Sequence, residues 1–275
     1  MDTAVMFGAG SIGRGLMGQL FTASGYAVTF VDIDTELVQA FNERGEYVLT
    51  LVDNAGAREV HVSPVKGILS GDAEAVVTEL KSATLSGTAV GARALPAIAP
   101  LIAGGMVRRM AAGVEAPLNF LVCENMPDAS GTLRSLIEPH LDAQAKEYAR
   151  THLGLANVVI GRMVPEPTRE MREKDVSSIL AEPYAEIDVD RDGFIGEPPR
   201  IMGMRPVSPI GPWMARKLYL HNCVHALMGY LGYRRGLQFG YEALEDPVVR
   251  PLLAAALGEA EAGLAAVHGF DVGDL

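Results

Sequence analysis

Thr3-Ala-Val-Met-Phe7 runs without a spacer into Gly8-Ala-Gly-Ser-Ile-Gly13, and a second strand-forming run, Ala27-Val-Thr-Phe-Val31, ends on Asp32. The acid falls nineteen residues after Gly13. Strand, tight turn, helix, strand and acid in this order form the dinucleotide-binding fingerprint in its required setting. Gly8 allows the turn, Gly10 lets the backbone approach a pyrophosphate, and Gly13 permits close helix–strand packing. A helix opening near Ser11 aims its unsatisfied N–H groups at the phosphates. Gly8, Ala9, Gly10, Ser11, Ile12 and Gly13 are therefore candidate coenzyme contacts. Asp32 is placed to hold the adenosine ribose hydroxyls and to repel a 2′-phosphate. Asp34 adds to the repulsion and no arginine follows closely in the chain, so NAD is expected rather than NADP.

The pattern downstream continues an α/β domain. A helix is expected at about 35–44. Glu46–Val52 and Arg58–Val62 alternate apolar and polar residues around Asp53-Asn-Ala-Gly56, which predicts an inserted β-hairpin. A helix at 72–80 precedes a strand at 83–90, whose tip Thr88-Ala-Val-Gly91 would face the coenzyme, making Thr88, Val90 and Gly91 candidates. A proline-containing helical stretch covers about 94–112. Leu118–Val122 is a near-continuous apolar run, as a buried parallel strand requires, and it ends in Cys123-Glu-Asn125. Ligands of open α/β sheets bind at the carboxyl ends of strands, which places Asn125 near the nicotinamide or the reacting oxygen. Asp128, after Pro127, is the better candidate to cap the next helix. Helices at roughly 129–152 and extended segments at 158–164 and 179–189 complete a domain expected to span residues 1–195.

Residues 196–208 are rich in Gly and Pro and read as the link into a mainly helical domain, 196–275. There Lys217-Leu-Tyr-Leu-His-Asn222-Cys-Val-His225 sets polar side chains into a mostly apolar run. At about 100° per residue Asn222 lies roughly 140° from Lys217, with His225 between them at roughly 80°. One side of a helix can therefore carry an amine able to lose a proton, an amide able to donate to an oxyanion, and an imidazole. The chain has 5 lysines against 18 arginines, so lysine stands out where arginine is the habitual cation. A straight helix would, however, separate Lys217 from His225 by roughly 12 Å along its axis. Either the lysine arm curls inward or the helix is irregular there. His221 would point to a different face.

At 275 residues the chain suggests two domains. With 49% hydrophobic and 21% charged residues it has the composition of a globular protein rather than a disordered one. A net charge of −11 opposes nucleic-acid binding. An anionic substrate would need a local basic pocket, for which Arg162, Arg169, Arg205 and Arg216 are candidates. Met1-Asp-Thr3 has no basic n-region, and the uncharged run Ala94–Val107 is too short to span a bilayer. Cys123 and Cys223 stand far apart without ligand spacing. These features predict a cytoplasmic protein with no membrane or metal partner. No nucleophile elbow, HExxH motif, P-loop or repeat is present.

Phe7-Gly-Ala-Gly-Ser-Ile-Gly-Arg-Gly15, Thr88-Ala-Val-Gly91, Cys123-Glu-Asn-Met126, Arg162-Met-Val-Pro165 and Arg216-Lys-Leu-Tyr-Leu-His-Asn-Cys-Val-His-Ala226 together resemble the polyol-specific long-chain dehydrogenase/reductase family. A glycine loop opening at the very start looks like its mannitol-phosphate branch. The resemblance implies an NAD-linked, metal-independent interconversion of a polyol phosphate and a ketose phosphate, with D-mannitol 1-phosphate and D-fructose 6-phosphate the expected pair. It implies Lys217 as general base, Asn125 and Asn222 as an oxyanion hole, and His225 as a positioning group. Arg162, Arg205, Lys217, Asn222 and His225 are the expected substrate contacts. It implies a small-molecule sugar substrate, a monomer or homodimer, and a helical domain shorter than the family's. Glu166–Arg205 matches the family poorly. Alternatives are a hexuronate or non-phosphorylated polyol dehydrogenase, a ketoacid reductase of the ketopantoate type, or a non-catalytic NAD-binding protein.

Overall fold

The computed structural model describes residues 1–271. Its larger compact unit, Met1–Ser208, is built on an eight-stranded sheet. The strands are β1 (Thr3–Phe7), β2 (Ala27–Asp32), β5 (Val65–Leu69), β6 (Leu85–Thr88), β7 (Leu118–Val122), β8 (Leu153–Ile160), β10 (Ile187–Asp190) and β11 (Met204–Val207), and their order is β11-β10-β8-β7-β6-β1-β2-β5. From β5 to β8 every pairing is parallel; β10 then runs antiparallel to β8. Sequence order reverses at β1, between β2 and β6, which creates the switch-point crevice of a doubly wound sheet. The expected Rossmann-type α/β unit is present.

Alternation along β1 explains the two-faced core. Ala4 and Met6 enter one apolar cluster with Leu16, Phe21, Phe30, Phe41 and Tyr47. Val5 and Phe7 enter the other, with Val76, Leu80, Ile98, Ile102, Met106 and Phe120. Helices cover both faces: α1 (Gln19–Ala23), α2 (Thr35–Arg44), α3 (Ala73–Ser82), α4 (Leu95–Ala111), α5 (Ala129–Ile137) and α6 (Ala143–His152). All five residues of β7 are buried, which accounts for its unbroken apolar sequence. The predicted hairpin forms between β3 (Tyr47–Asp53) and β4 (Gly56–Val62), with Tyr47 opposite Val62. A third strand, β9 (Ile179–Ala181), joins β3 in parallel.

Two strands were not legible in the sequence. Val65–Leu69 is short and interrupted by Lys66 and Gly67, yet it pairs along β2. Met204–Val207 lies in the Gly/Pro-rich segment expected to be a link, and it pairs with β10 from Ile187↔Met204 to Asp190↔Val207. Buried Asn119 on β7 also accepts from the Ile195 N–H at 2.9 Å. The pairing ties Met204–Val207 to the sheet, and the first compact unit runs to Ser208, past the expected boundary at 195.

The second unit, Pro209–Leu275, is helical through its described residues. It comprises α8 (Gly211–Arg216), a π-turn at Lys217–Asn222, α9 (Cys223–Arg234), α10 (Gly240–Glu245) and α11 (Val249–His268). Its small core is Ala243, Val249 and Leu253, flanked by Val224, Leu227 and Leu231. Several aromatics are exposed, including Tyr230, Tyr233 and Phe239. No helix among the described residues is long and apolar enough to cross a membrane.

Candidate active site

The glycine loop is held from three directions. Gly8 donates its N–H to the Val31 carbonyl at 2.8 Å, and its φ of +91° is a backbone region that side chains resist. Asp32 is joined to the loop directly: Ala9 N–H donates to Oδ2 at 2.6 Å, while Asp34 N–H donates to Oδ1 at 3.0 Å. A Cβ on Gly13 would lie 1.9 Å from the Gly8 carbonyl oxygen, whereas one on Gly10 would meet nothing within 4 Å. Gly13 is thus required by the loop's own fold, and Gly10 presents bare backbone to open space. Ser11 and Ile12 are helical and half-buried, and the chain continues as a π-turn through Gly13–Gly18.

Buried Arg14 clamps this loop, a role the glycine spacing does not reveal. Its Nε donates to the Ala9 carbonyl at 2.6 Å and its Nη1 to the carbonyls of Val176 and Ser177 at 3.0 and 2.8 Å. Burial pushes the guanidinium pKa down. Asp34 caps α2 by accepting from Leu37 N–H at 3.1 Å, and its other oxygen accepts from Arg172 Nη2 at 3.1 Å. Arg172 lies on α7 (Arg169–Lys174), so the fold brings an arginine to the acidic end of β2 that no local reading of the sequence placed there.

At the opposite side of β1, Thr88 ends β6 fully buried, and its hydroxyl has no hydrogen-bond partner. The tip beyond it is shaped by Glu124, a residue the sequence reading passed over. Glu124 Oε1 accepts from Val90 N–H at 3.0 Å and Oε2 from Gly91 N–H at 2.8 Å. Asn125 follows and is exposed at the end of β7. Asp128 caps α5 by accepting from Gly131 N–H at 3.1 Å, as expected. Cys123 is buried, and burial together with Glu124 pushes its thiol pKa up; it behaves as a small apolar group.

The arginines expected to meet an anionic substrate differ in burial and in the neighbours they hold. Arg162 is 4% exposed. It donates to the Tyr184 carbonyl, to Gly15 O at 2.7 Å, to Gln19 Oε1 at 2.8 Å and to Pro183 O at 3.2 Å. Burial pushes its pKa down to about 10. Arg162 thus forms a buried strut between the glycine-loop helix and the 183–184 segment, which leaves it little exposed surface for the expected substrate contact. Arg205 Nε donates to Asp188 Oδ1 at 2.6 Å across β10 and β11, a cross-strand ion pair that occupies it. Arg169 pairs with Glu173 at 2.7 Å, and the Arg216 guanidinium lies 5.9 Å from the Trp213 ring centroid.

In the second unit Lys217 and Asn222 are half-buried and His225 is exposed. The helix is irregular here: a π-turn spans Lys217–Asn222, and its closing bond runs from Cys223 N–H to the Leu218 carbonyl. Wider winding turns the chain less per residue, which brings Lys217 and Asn222 closer to one face than an α-helix would. Burial lowers the Lys217 pKa. His225 Nδ1 lies 2.8 Å from the His221 carbonyl; a carbonyl only accepts, so Nδ1 carries hydrogen and Nε2 of the neutral ring is an acceptor. The two rings lie 4.4 Å apart.

A doubly wound sheet with a glycine loop at its switch point and an acid closing β2 defines a dinucleotide-binding protein of the Rossmann class. Residues 2–203 match the family described as the mannitol dehydrogenase Rossmann domain, and the chain belongs to that family. It is 37% identical over 272 residues to a mannitol-1-phosphate 5-dehydrogenase of Geobacillus thermodenitrificans, covering 98% of this chain and 68% of the relative. It is 38% identical over 269 residues to a protein of the same name from Bacillus subtilis, covering 97% of this chain and 70% of that one. The chain thus spans about two thirds of these relatives' length. Its fold is similar to Pseudomonas fluorescens mannitol 2-dehydrogenase, solved as a ternary complex with NAD and D-mannitol. The TM-score is 0.80 at 17% identity, over 99% of this chain and 66% of that one.

Proposed function

We propose that this chain is an NAD-dependent, metal-independent oxidoreductase that interconverts D-mannitol 1-phosphate and D-fructose 6-phosphate. The observation that carries the reading is identity of 37% with a mannitol-1-phosphate 5-dehydrogenase along nearly the whole chain. The residues present suit NAD. Gly10 leaves open backbone for a pyrophosphate, and the Asp32 carboxylate, held by Ala9 and Asp34 N–H groups, retains lone pairs for two ribose hydroxyls.

Bound NAD supplies the hydride acceptor at the secondary carbinol carbon. The protein must take the hydroxyl proton and stabilise the oxygen left behind. Lys217 takes that proton, since burial favours its neutral amine. The carboxamides of Asn125 and Asn222 donate to the developing alkoxide. His225, with Nδ1 engaged by the His221 carbonyl, offers Nε2 to a neighbouring hydroxyl. In ketose reduction the same lysine returns the proton.

The test is NADH oxidation against a panel of ketoses with and without a phosphate ester. Turnover of fructose 6-phosphate well above fructose is expected. Turnover of fructose or a keto-hexuronate in preference to every phosphorylated ketose overturns the substrate assignment.

A further inference from the structure

The Rossmann sheet places Asp32 and Glu124 at its carboxyl edge, and of the two only Asp32 has been given a part in coenzyme binding. Glu124, just past β7, is 6% exposed. Its two oxygens accept from the N–H groups of consecutive residues, Val90 at 3.0 Å and Gly91 at 2.8 Å. Backbone amides satisfy its lone pairs without cancelling its charge, and burying an anion in this way is costly. The segment it grips follows β6, and Gly91 sits there at φ +83°, a conformation open to glycine and resisted by side chains.

β6 and β7 lie on the opposite side of β1 from β2. A dinucleotide straddles the switch point with one mononucleotide half on each side. With the adenosine ribose on Asp32, the nicotinamide half falls to the tips of β6 and β7. The oxidised nicotinamide ring is cationic and the reduced ring is neutral. A fixed anion in a shielded site interacts with the first and not with the second.

We propose that Glu124 is a positioning residue for the nicotinamide half of the coenzyme, shaping the 88–91 tip through two hydrogen bonds and biasing the site towards the oxidised form. The inference rests on the NAD reading given above. It differs from a purely structural role in one measurable respect: loosening the tip weakens both redox forms alike, whereas removing the charge weakens NAD selectively.

Dissociation constants for NADH by fluorescence titration, and for NAD by displacement, are measured on the full chain, with thermal midpoints recorded alongside. Glu124→Gln is expected to weaken NAD roughly tenfold more than NADH. Glu124→Asp, which keeps the charge on a shorter arm, is expected to weaken both by a similar factor. An equal loss for both coenzymes in Glu124→Gln, or no loss, overturns the proposal. If that variant does not fold, Glu124→Ala is read by the same criterion: a loss larger for NAD than for NADH supports the proposal, and an equal loss or none overturns it. A wild-type chain that binds neither coenzyme overturns the NAD reading together with this one. Wild-type binding without the selective change overturns this one alone.

Discussion

Lys217 and Asn222 are the first and last residues of one π-turn, five positions apart, the spacing at which such a turn closes its hydrogen bonds. The turn is flanked by α8 and α9, so a single local irregularity brings an amine and a carboxamide towards one face. Burial of the Lys217 side chain lowers its pKa from the ordinary lysine value.

Lys217→Ala is expected to lower kcat by about 10²–10⁴-fold while NADH binding stays unchanged. Because the base acts in its neutral form, polyol oxidation by the wild type rises with pH and levels off below the ordinary lysine value of about 10.4. Stopped-flow rates across pH measure both effects. A Lys217→Ala variant of near-normal kcat removes the lysine mechanism.

Arg162 is assigned to the frame rather than to the substrate. Arg162→Ala leaves several buried carbonyls without donors and is expected to cost roughly 2–4 kcal/mol of unfolding free energy. Arg162→Lys should recover little, since one ammonium cannot reach acceptors spread around a planar fork. Denaturant unfolding measures the loss. The KM for fructose 6-phosphate in the folded fraction should not change, and a large rise would restore Arg162 as a substrate contact.

Asp32, which grips the Ala9 N–H, is proposed to set coenzyme choice through its charge as well. Asp32→Ala is expected to weaken NADH by about tenfold or more and to narrow the gap between NADH and NADPH. Asp34→Asn should narrow it further, because it releases Arg172 from its ion pair. Titration with both coenzymes gives the ratio. Wild-type preference for NADPH would contradict the NAD assignment.

Asp175 accepts from Arg44 Nη1 at 2.7 Å, from Ser177 N–H at 2.9 Å and from Ser177 Oγ at 2.8 Å. Burial alone would raise its pKa, but these donors outweigh it and hold the carboxyl well below the usual range. Its stabilisation is therefore full above the unfolded value of about 3.9 and is lost as pH falls towards the folded value. Asp175→Asn should cost roughly 1–2 kcal/mol at pH 7, after allowance for the exposed Arg44 side chain. The difference from wild type should shrink below about pH 4 in urea unfolding curves.

What the chain order alone determined is whatever local physics controls. Hydrophobic alternation, glycine spacing and an acid at a strand end do not depend on distant residues, so β1, the glycine loop, β2, α2, the β3–β4 hairpin and β7 are legible in the sequence. So is the Asp128 cap, and so is the mismatch of Lys217 and His225 with a straight helix. The tertiary structure decided what depends on pairing across the chain. Val65–Leu69 and Met204–Val207 are strands because β2 and β10 offer them backbone partners. Arg162 is a strut, and Arg172 neighbours Asp34 across 138 positions. Glu124 is a ligand for the neighbouring strand tip because β6 and β7 are adjacent in the sheet. An arginine or glutamate has the same one-letter signature whether it faces water, substrate or a buried carbonyl, and only the fold supplies the partner.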